Sequence, residues 1–253
     1  MIEVQSLVKE YTLNKKQQQA DGQSTRKVKA VDAVSFTCEP GRVYSLLGPN
    51  GAGKTTALRA IATILKPTAG KITVAGYDVV EEPIEVRRRL GFLTGSTGLY
   101  DRLTATEVVK YFADLNGVPK DVFSQRKDEL FTLLGIHDFA QKRVGKLSTG
   151  MKQKVSIART MIHDPDVVVF DEPTSGLDVI TANSIIDLIR RSKDQGKTVL
   201  FSTHIMGEVE LLSDDIGIIH EGHLIYNGSF EQFKAEGQSN SLVEEFIRIV
   251  NAA

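Results

Sequence analysis

Residues 48–56 read Gly48-Pro49-Asn50-Gly51-Ala52-Gly53-Lys54-Thr55-Thr56. They follow a short apolar run, 43–47, and precede Leu58, Ile61, Ala62 and Leu65 at helical spacing, which predicts a helix over 55–64. An apolar strand without alternation must be covered on both faces, so strand, glycine turn and helix in this order point to a layered α/β core with a mostly parallel sheet. The turn has the make-up of a phosphate cradle. Its glycines let backbone N–H groups wrap an anion, Lys54 adds a point charge, and Thr55 offers a hydroxyl to a magnesium ion. The helix start contributes unpaired N–H groups of its own. Gly-x4-Gly-Lys-Thr arises by accident on the order of once per hundred chains of this length, so a plain structural turn with a surface lysine is a poor account of it.

A phosphate loop needs a carboxylate for its metal, and Val167-Val168-Val169-Phe170-Asp171-Glu172 has that form. Four apolar residues predict a buried strand. Asp171 leaves it at the C-terminal end, where open α/β sheets bind ligands, and there it would hold magnesium through water. Neighbouring strand residues face opposite ways, so Glu172 cannot serve the same ion from a regular strand. Pro173 ends the strand and lets Glu172 turn toward a terminal phosphate, to take a proton from attacking water or to orient it. A solvated acidic pair would not follow four buried residues. His204 comes just past the apolar run 198–202. A lone histidine is more often structural than catalytic, but the end of a neighbouring strand is where one could hydrogen-bond a γ-phosphate. Leu147-Ser148-Thr149-Gly150-Met151-Lys152-Gln153 opens a helix, with Ser148 as N-cap and Gly150 giving a ligand access to the backbone; an ordinary helix start reads the same way.

The rest of the chain frames these motifs. Residues 2–8 predict a strand with Tyr11 near its end, and 14–26, with three consecutive glutamines and Asp21-Gly22, an exposed loop. Residues 28–36 predict one or two strands, and 71–75 and 91–93 two more. From about 97 to 164 the apolar spacing turns helical, at Val108, Tyr111, Phe112 and Leu115, then Leu130, Phe131, Leu133 and Leu134, then Val155, Ile157, Ala158 and Met161. Strand and helix alternate again through 167–170, about 179–193, 198–202 and 206–212. A hairpin of 216–219 and 224–226 about Glu221-Gly222 closes the core. Leu242, Val243, Phe246, Ile247 and Val250 predict an amphipathic helix that packs on its own domain.

Composition narrows the classes. A net charge of −1 over 253 residues gives no basic field, so nucleic acid is not an expected partner. Cys38 is the only cysteine, which excludes an intrachain disulfide and a cysteine-ligated metal; it reads as a small buried strand residue in a chain kept reduced. No apolar run approaches the roughly 18–20 residues that cross a bilayer, and the first residues lack a secretory pattern. The expectation is a cytoplasmic chain; in a membrane process, another chain would do the spanning.

In order and spacing, the phosphate loop, Leu147-Ser148-x-Gly150, 167–172, Ser175-Gly176-Leu177-Asp178 and His204 resemble an ATP-binding cassette (ABC) ATPase subunit over about residues 2–230. The resemblance implies a P-loop NTPase fold with a mostly parallel central sheet, an antiparallel β subdomain and an inserted helical subdomain. Its expected layout is one domain over 1–230, in which 1–96 and 165–230 form the core with the β subdomain and 97–164 the helical insertion, followed by an extension over 231–253. It implies ATP and Mg2+, catalysis by Glu172, His204 and Lys54, and adenine stacking on Tyr11. It further implies a head-to-tail dimer with a second such chain, in which Ser148 and Gly150 cover the partner's nucleotide and Asp178 lies in the loop joining the two sites. A membrane-spanning transporter subunit is the other implied partner, with the cassette on the cytoplasmic face. Leu99-Tyr100-Asp101-Arg102-Leu103-Thr104 and His204-Ile205-Met206-Gly207-Glu208-Val209 look most like the ATPase subunits of bacterial sodium exporters. Alternatives are the ATPase of another exporter, a non-transport regulatory cassette, and a P-loop kinase, though no acceptor pocket is evident for the last. Two departures stand out. The signature reads Ser-Thr-Gly rather than Ser-Gly-Gly. After Gly91-Phe92-Leu93-Thr94, Gly95-Ser96 stands where the family has a magnesium-touching glutamine.

Overall fold

The computed structural model describes residues 1–12, 27–94, 98–239 and 241–252. Two sheets organise it. The first is antiparallel, in the order β2-β1-β4-β5, from β1 (Ile2–Thr12), β2 (Lys27–Cys38), β4 (Ala69–Val74) and β5 (Tyr77–Asp78). The second has the order β10-β9-β3-β8-β7-β6, from β3 (Val43–Leu47), β6 (Leu90–Thr94), β7 (Val167–Asp171), β8 (Thr198–Thr203), β9 (Asp215–His220) and β10 (His223–Ser229). All its pairs are parallel except the β9–β10 hairpin.

Every residue of β3, β7 and β8 is buried, as expected of strands covered on both faces. Successive residues serve different cores. Val167 and Val169 of β7 and Leu200 of β8 pack toward the antiparallel sheet and helix α1 (Lys54–Ile61). Val168, Phe170, Val199 and Phe201 pack toward four helices, α3 (Ala105–Leu115), α4 (Lys120–Leu134), α5 (Thr149–Met161) and α6 (Val179–Asp194). Helices α3 to α5 lie in the chain between β6 and β7. Thr104 caps α3 with a reciprocal capping box to Glu107, and it bridges to Arg143, a strand-like contact that the helical spacing does not suggest.

Several boundaries differ from the periodicity. Helix α1 ends at Ile61 rather than 64, because Thr63 takes a left-handed φ of 61° and turns Ile64 out to solvent. Strand β1 runs on to Thr12 and β2 is a single strand; bulges near Ser6 (φ 47°) and Ala33 (φ 51°) shift the register and break the alternation that would mark them. Helix α2 (Pro83–Arg89) buries only Val86 and so carries no apolar period. Helices α7 (Met206–Leu212) and α8 (Phe230–Glu236) are each seven residues long. The last helix, α9 (Leu242–Ala252), packs on its own chain, with Leu242, Phe246, Ile249 and Val250 against Val209, Phe230 and Phe233. Cys38 is buried at the end of β2. The predicted loop over 14–26 lies outside the described residues.

Candidate active site

The glycine turn 48–53 is pressed between β2 and β9. Gly53 has a φ of 111°, and a Cβ on it would stand 2.4 Å from the carbonyl oxygen of Ala30; one on Gly48 would stand 2.3 Å from that of Ile219. Glycine is thus required by the neighbouring backbone as well as by the turn. The tip of the β9–β10 hairpin closes the brace: Gly222 donates its N–H to Ala52 O (2.9 Å), and Asp32 donates to Gly222 O (2.8 Å). These buttresses have no sequence motif. Pro49, Asn50 and Gly51 are exposed, and Thr56 is half-buried.

Lys54 is only 4% exposed. Its ammonium donates to the carbonyls of Gly48 (2.7 Å) and Pro49 (3.1 Å) and lies 3.6 Å from Glu172 Oε1. Burial pushes its pKa below the usual lysine value, and the Glu172 carboxylate opposes that shift. Next to it, the Thr55 hydroxyl donates to Asp171 Oδ1 (3.0 Å), which also accepts from the Ser202 hydroxyl (2.8 Å). Thr55 and Asp171 present hard oxygens, the donor type of magnesium. Among the described residues no three His, Cys, Asp or Glu side chains gather for a metal, so magnesium here would rest largely on phosphate and water oxygens.

Glu172 leaves β7 by a backbone turn. Its φ of 48° is left-handed, and its N–H is held by Ser202 O (3.2 Å) and Ser202 Oγ (3.1 Å). Its carboxylate stands between Lys54 and His204, whose Nδ1 is 3.4 Å from Glu172 Oε2. A non-glycine residue in this region stores strain that the surrounding hydrogen bonds must hold. Ser202, fully buried, holds the Asp171 carboxylate and the Glu172 backbone N–H, yet an isolated serine in an apolar strand gives little signal in the sequence.

The second cluster centres on the N-terminus of α5. Ser148 caps it, accepting from Met151 N (3.3 Å), and Ser148 and Thr149 are exposed. Gly150 faces the start of α6, where a Cβ on it would stand 3.4 Å from Thr181 Oγ1 and 3.6 Å from Asp178 Oδ2. Asp178 caps α6, accepting from Thr181 N (3.0 Å) and Thr181 Oγ1 (2.8 Å); the backbone N–H bond leads in holding its carboxyl below the usual range. Gln153 donates to Pro173 O (2.8 Å) and so ties α5 to the turn that carries Glu172, a link the motif alone does not disclose. Thr55, Asp171 and Glu172 share a cleft of about 420 Å³ with Thr149 and Gln153. Tyr11 stands in the antiparallel sheet opposite Val28, partly exposed, with the Lys9 ammonium 5.5 Å from its ring centre. Gly95 and Ser96 lie outside the described residues.

With this geometry in place, the sequence profile of the family described as ABC transporter matches residues 31–175. The chain is 49% identical over 216 residues to the ABC transporter ATP-binding protein NatA of Bacillus subtilis (strain 168), an alignment covering 85% of this chain and 88% of that protein. It is 38% identical over 207 residues to the bacitracin transport ATP-binding protein BcrA of Bacillus licheniformis, covering 81% and 67%. Among solved structures it is similar to the dimeric, post-hydrolysis ATP-binding cassette MJ0796 bound to ADP and Pi, with a TM-score of 0.79 and 25% identity over 90% of this chain and 98% of that one.

Proposed function

This chain belongs to the ABC transporter family as an ATP-binding subunit and an ATPase, and from that premise we propose that it drives sodium export through a separate membrane-spanning subunit. Lys54 and the backbone amides of 48–56 hold the phosphates of ATP; Thr55 and Asp171 hold Mg2+, which neutralises phosphate charge when bound. Glu172 takes the proton of the attacking water, and His204 hydrogen-bonds the terminal phosphate. The observation that supports these roles is the position of Glu172, turned out of β7 and set between Lys54 and His204 at 3.6 and 3.4 Å. Tyr11 is the assigned adenine contact. Sodium as cargo is supported by residues 99–104 and 204–209, which resemble sodium-export ATPases, and by the 49% identity to NatA.

A second copy of the chain completes the site in this reading. Ser148 and Thr149 are exposed at the α5 N-terminus, and beside Asp178 the apolar residues Val179 and Ile180 are 76% and 78% exposed. A head-to-tail dimer would cover both, placing Ser148 and Gly150 on the partner's nucleotide. Among the described residues no helix is long and apolar enough to cross a membrane. For the spanning subunit, met at the cytoplasmic face, we assign the groove lined by Ile64, Phe92, Phe112, Asn116 and Arg159. Arg159 is 6% exposed, lies under the Phe112 ring at 4.9 Å, and has no hydrogen-bond or ion-pair partner among the described residues. With its stem buried and its guanidinium lining the groove beside the Phe112 ring, Arg159 offers donors that a carboxylate or carbonyl of the spanning subunit would match.

Glu172→Gln tests the roles. Loss of a general base costs about 10²–10⁴-fold in rate, so the variant is expected to lose turnover while still binding ATP and favouring the dimer. Wild-type turnover would remove Glu172 from its role. Detergent extraction with pull-down, followed by ATPase assays of the captured complex, tests the cargo: stimulation by sodium is expected, and stimulation only by bacitracin would favour the BcrA-like reading.

A further inference from the structure

Glu208, in the first turn of α7, is a carboxylate that the roles above leave unused. It is 6% exposed, and its partners among the described residues are two neutral hydroxyls. Thr174 donates to Oε1, and Thr203 donates to Oε2 (2.6 Å). Thr203 Oγ1 in turn accepts from Ile205 N (3.0 Å), so the residues on both sides of His204 are pinned through one oxygen. On the other side, Thr174 lies two residues after Glu172.

These links form a closed ring. From Glu172 the chain runs through Pro173 to Thr174, crosses to Glu208, crosses again to Thr203, steps back to Ser202, and returns by the Ser202 bonds to Glu172 N. The His204–Glu172 contact at 3.4 Å bridges the two loops that the ring joins. A buried carboxylate with no cation beside it is costly. Packing alone would be served as well by an apolar residue, which could not hold two loops in one register.

We propose that Glu208 is the positioning residue that fixes His204 relative to Glu172, so that both meet the terminal phosphate and the attacking water together. The inference rests on the roles assigned above to Glu172 and His204. Misplacing a reacting group by about 1 Å can cost on the order of a hundred-fold, whereas the phosphate loop holds ATP through other atoms.

The test is steady-state ATP hydrolysis by the full chain with Mg-ATP, alongside binding of a non-hydrolysable ATP analogue. Glu208→Ala is expected to lower kcat by about ten- to a hundred-fold and to leave analogue affinity within about two-fold of wild type. Glu208→Gln, which keeps one acceptor oxygen, is expected to fall between wild type and Glu208→Ala. Combining Thr203→Val with Glu208→Ala is expected to lose no more than Glu208→Ala alone, since both cut the same link. If Glu208→Ala does not fold, Thr203→Val carries the same comparison. Wild-type kcat in Glu208→Ala or Thr203→Val overturns the inference, as does a parallel loss of kcat and affinity with no recovery in Glu208→Gln. Glu172→Gln measured beside them separates the two levels: a dead Glu172→Gln with an unaffected Glu208→Ala sinks the positioning role alone, while a fully active Glu172→Gln sinks the base assignment on which it rests.

Discussion

Ser202→Ala removes one oxygen from the centre of the site, and its cost follows from the bonds that oxygen makes. The Ser202 hydroxyl is fully buried and donates to Asp171 Oδ1 at 2.8 Å, while accepting from Glu172 N at 3.1 Å. The Glu172 N–H keeps the Ser202 carbonyl at 3.2 Å, so that half of the loss is small. Asp171 keeps the Thr55 hydroxyl as a donor. A hydrogen bond to a charged group is worth about 1.5–3 kcal/mol, which sets the expected destabilisation near 2 kcal/mol. In a chain of this size each kcal/mol moves Tm by about 2–4 °C, so calorimetry is expected to show a fall of about 4–8 °C. In the proposed role of Asp171 as a magnesium ligand, the same variant is expected to loosen that ligand. Loss of a group that orients a metal ligand costs about 10–100-fold in metal affinity or activity, to be read as a rightward shift in the magnesium dependence of ATP hydrolysis. A Tm within about 1 °C of wild type, with an unchanged magnesium curve, would refute the claim that Ser202 holds Asp171 and the Glu172 turn in place.

Gly53→Ala puts a Cβ 2.4 Å from Ala30 O at a φ of 111°, and is expected to abolish ATP binding and destabilise the loop by more than about 1–2 kcal/mol; wild-type affinity in an equilibrium binding assay would contradict it. Arg159→Met removes a buried guanidinium that burial already pushes below its usual pKa, and is expected to raise Tm by the equivalent of about 1–3 kcal/mol while weakening capture of the membrane subunit; a lower Tm with intact capture counts against the assigned groove. Glu245 accepts from Arg248 at 2.6 Å, which is the main reason its pKa is depressed from 4.5 to about 2. A depressed carboxylate contributes stability that is full above its unfolded pKa and is lost as pH falls through the folded one. The Tm difference between wild type and Glu245→Gln is therefore expected to hold above pH 4.5 and to vanish toward pH 2, and a constant difference across that range would contradict it.

Where one residue type has one physical use, the sequence was legible. The run 43–47 could only be a strand covered twice, and Gly53-Lys54-Thr55 reads as a helix start behind a glycine turn; strand and helix lie where the spacing puts them. The departure of Glu172 from the strand was also legible, since alternation keeps Asp171 and Glu172 from serving one ion in a regular strand and Pro173 ends that strand; its left-handed φ of 48° was not. What escaped was structure made by partners far away in the chain. Ser202 and Glu208 gain their meaning from residues about 30 positions earlier, and the braces at Ala30 and Gly222 are backbone groups with no side-chain signature. Strand β1 escaped past residue 8 because a bulge erases the alternation on which strand reading depends. The short helices α2 and α8 are too brief for a period to emerge.

The ends of β7 and β8 show how a packing rule becomes chemistry. Within the sheet each successive residue is claimed by one of two apolar cores, which leaves no room for a charge. At Asp171 and Ser202 that covering ends. From there the side chains are polar and satisfy one another across the two strands, as the parallel register sets Asp171 opposite Ser202. The chain has no freedom to shift Glu172 alone, because its N–H is bound to β8 and its following carbonyl, that of Pro173, is bound by Gln153 of α5. Helix α5 runs from the exposed signature at Thr149 to Met161 and carries Arg159 into the groove assigned to the membrane subunit, a span from Thr149 of about 15 Å at 1.5 Å per residue. On the proposed roles, a change at the terminal phosphate that moves the Glu172 turn would pull on the near end of a helix whose far end carries Arg159 beside the Phe112 ring. If the groove docks the membrane subunit as proposed, Gln153→Ala is expected to uncouple ATP hydrolysis from transport in the captured complex without removing either the base or the groove, and unchanged transport per ATP would contradict the link.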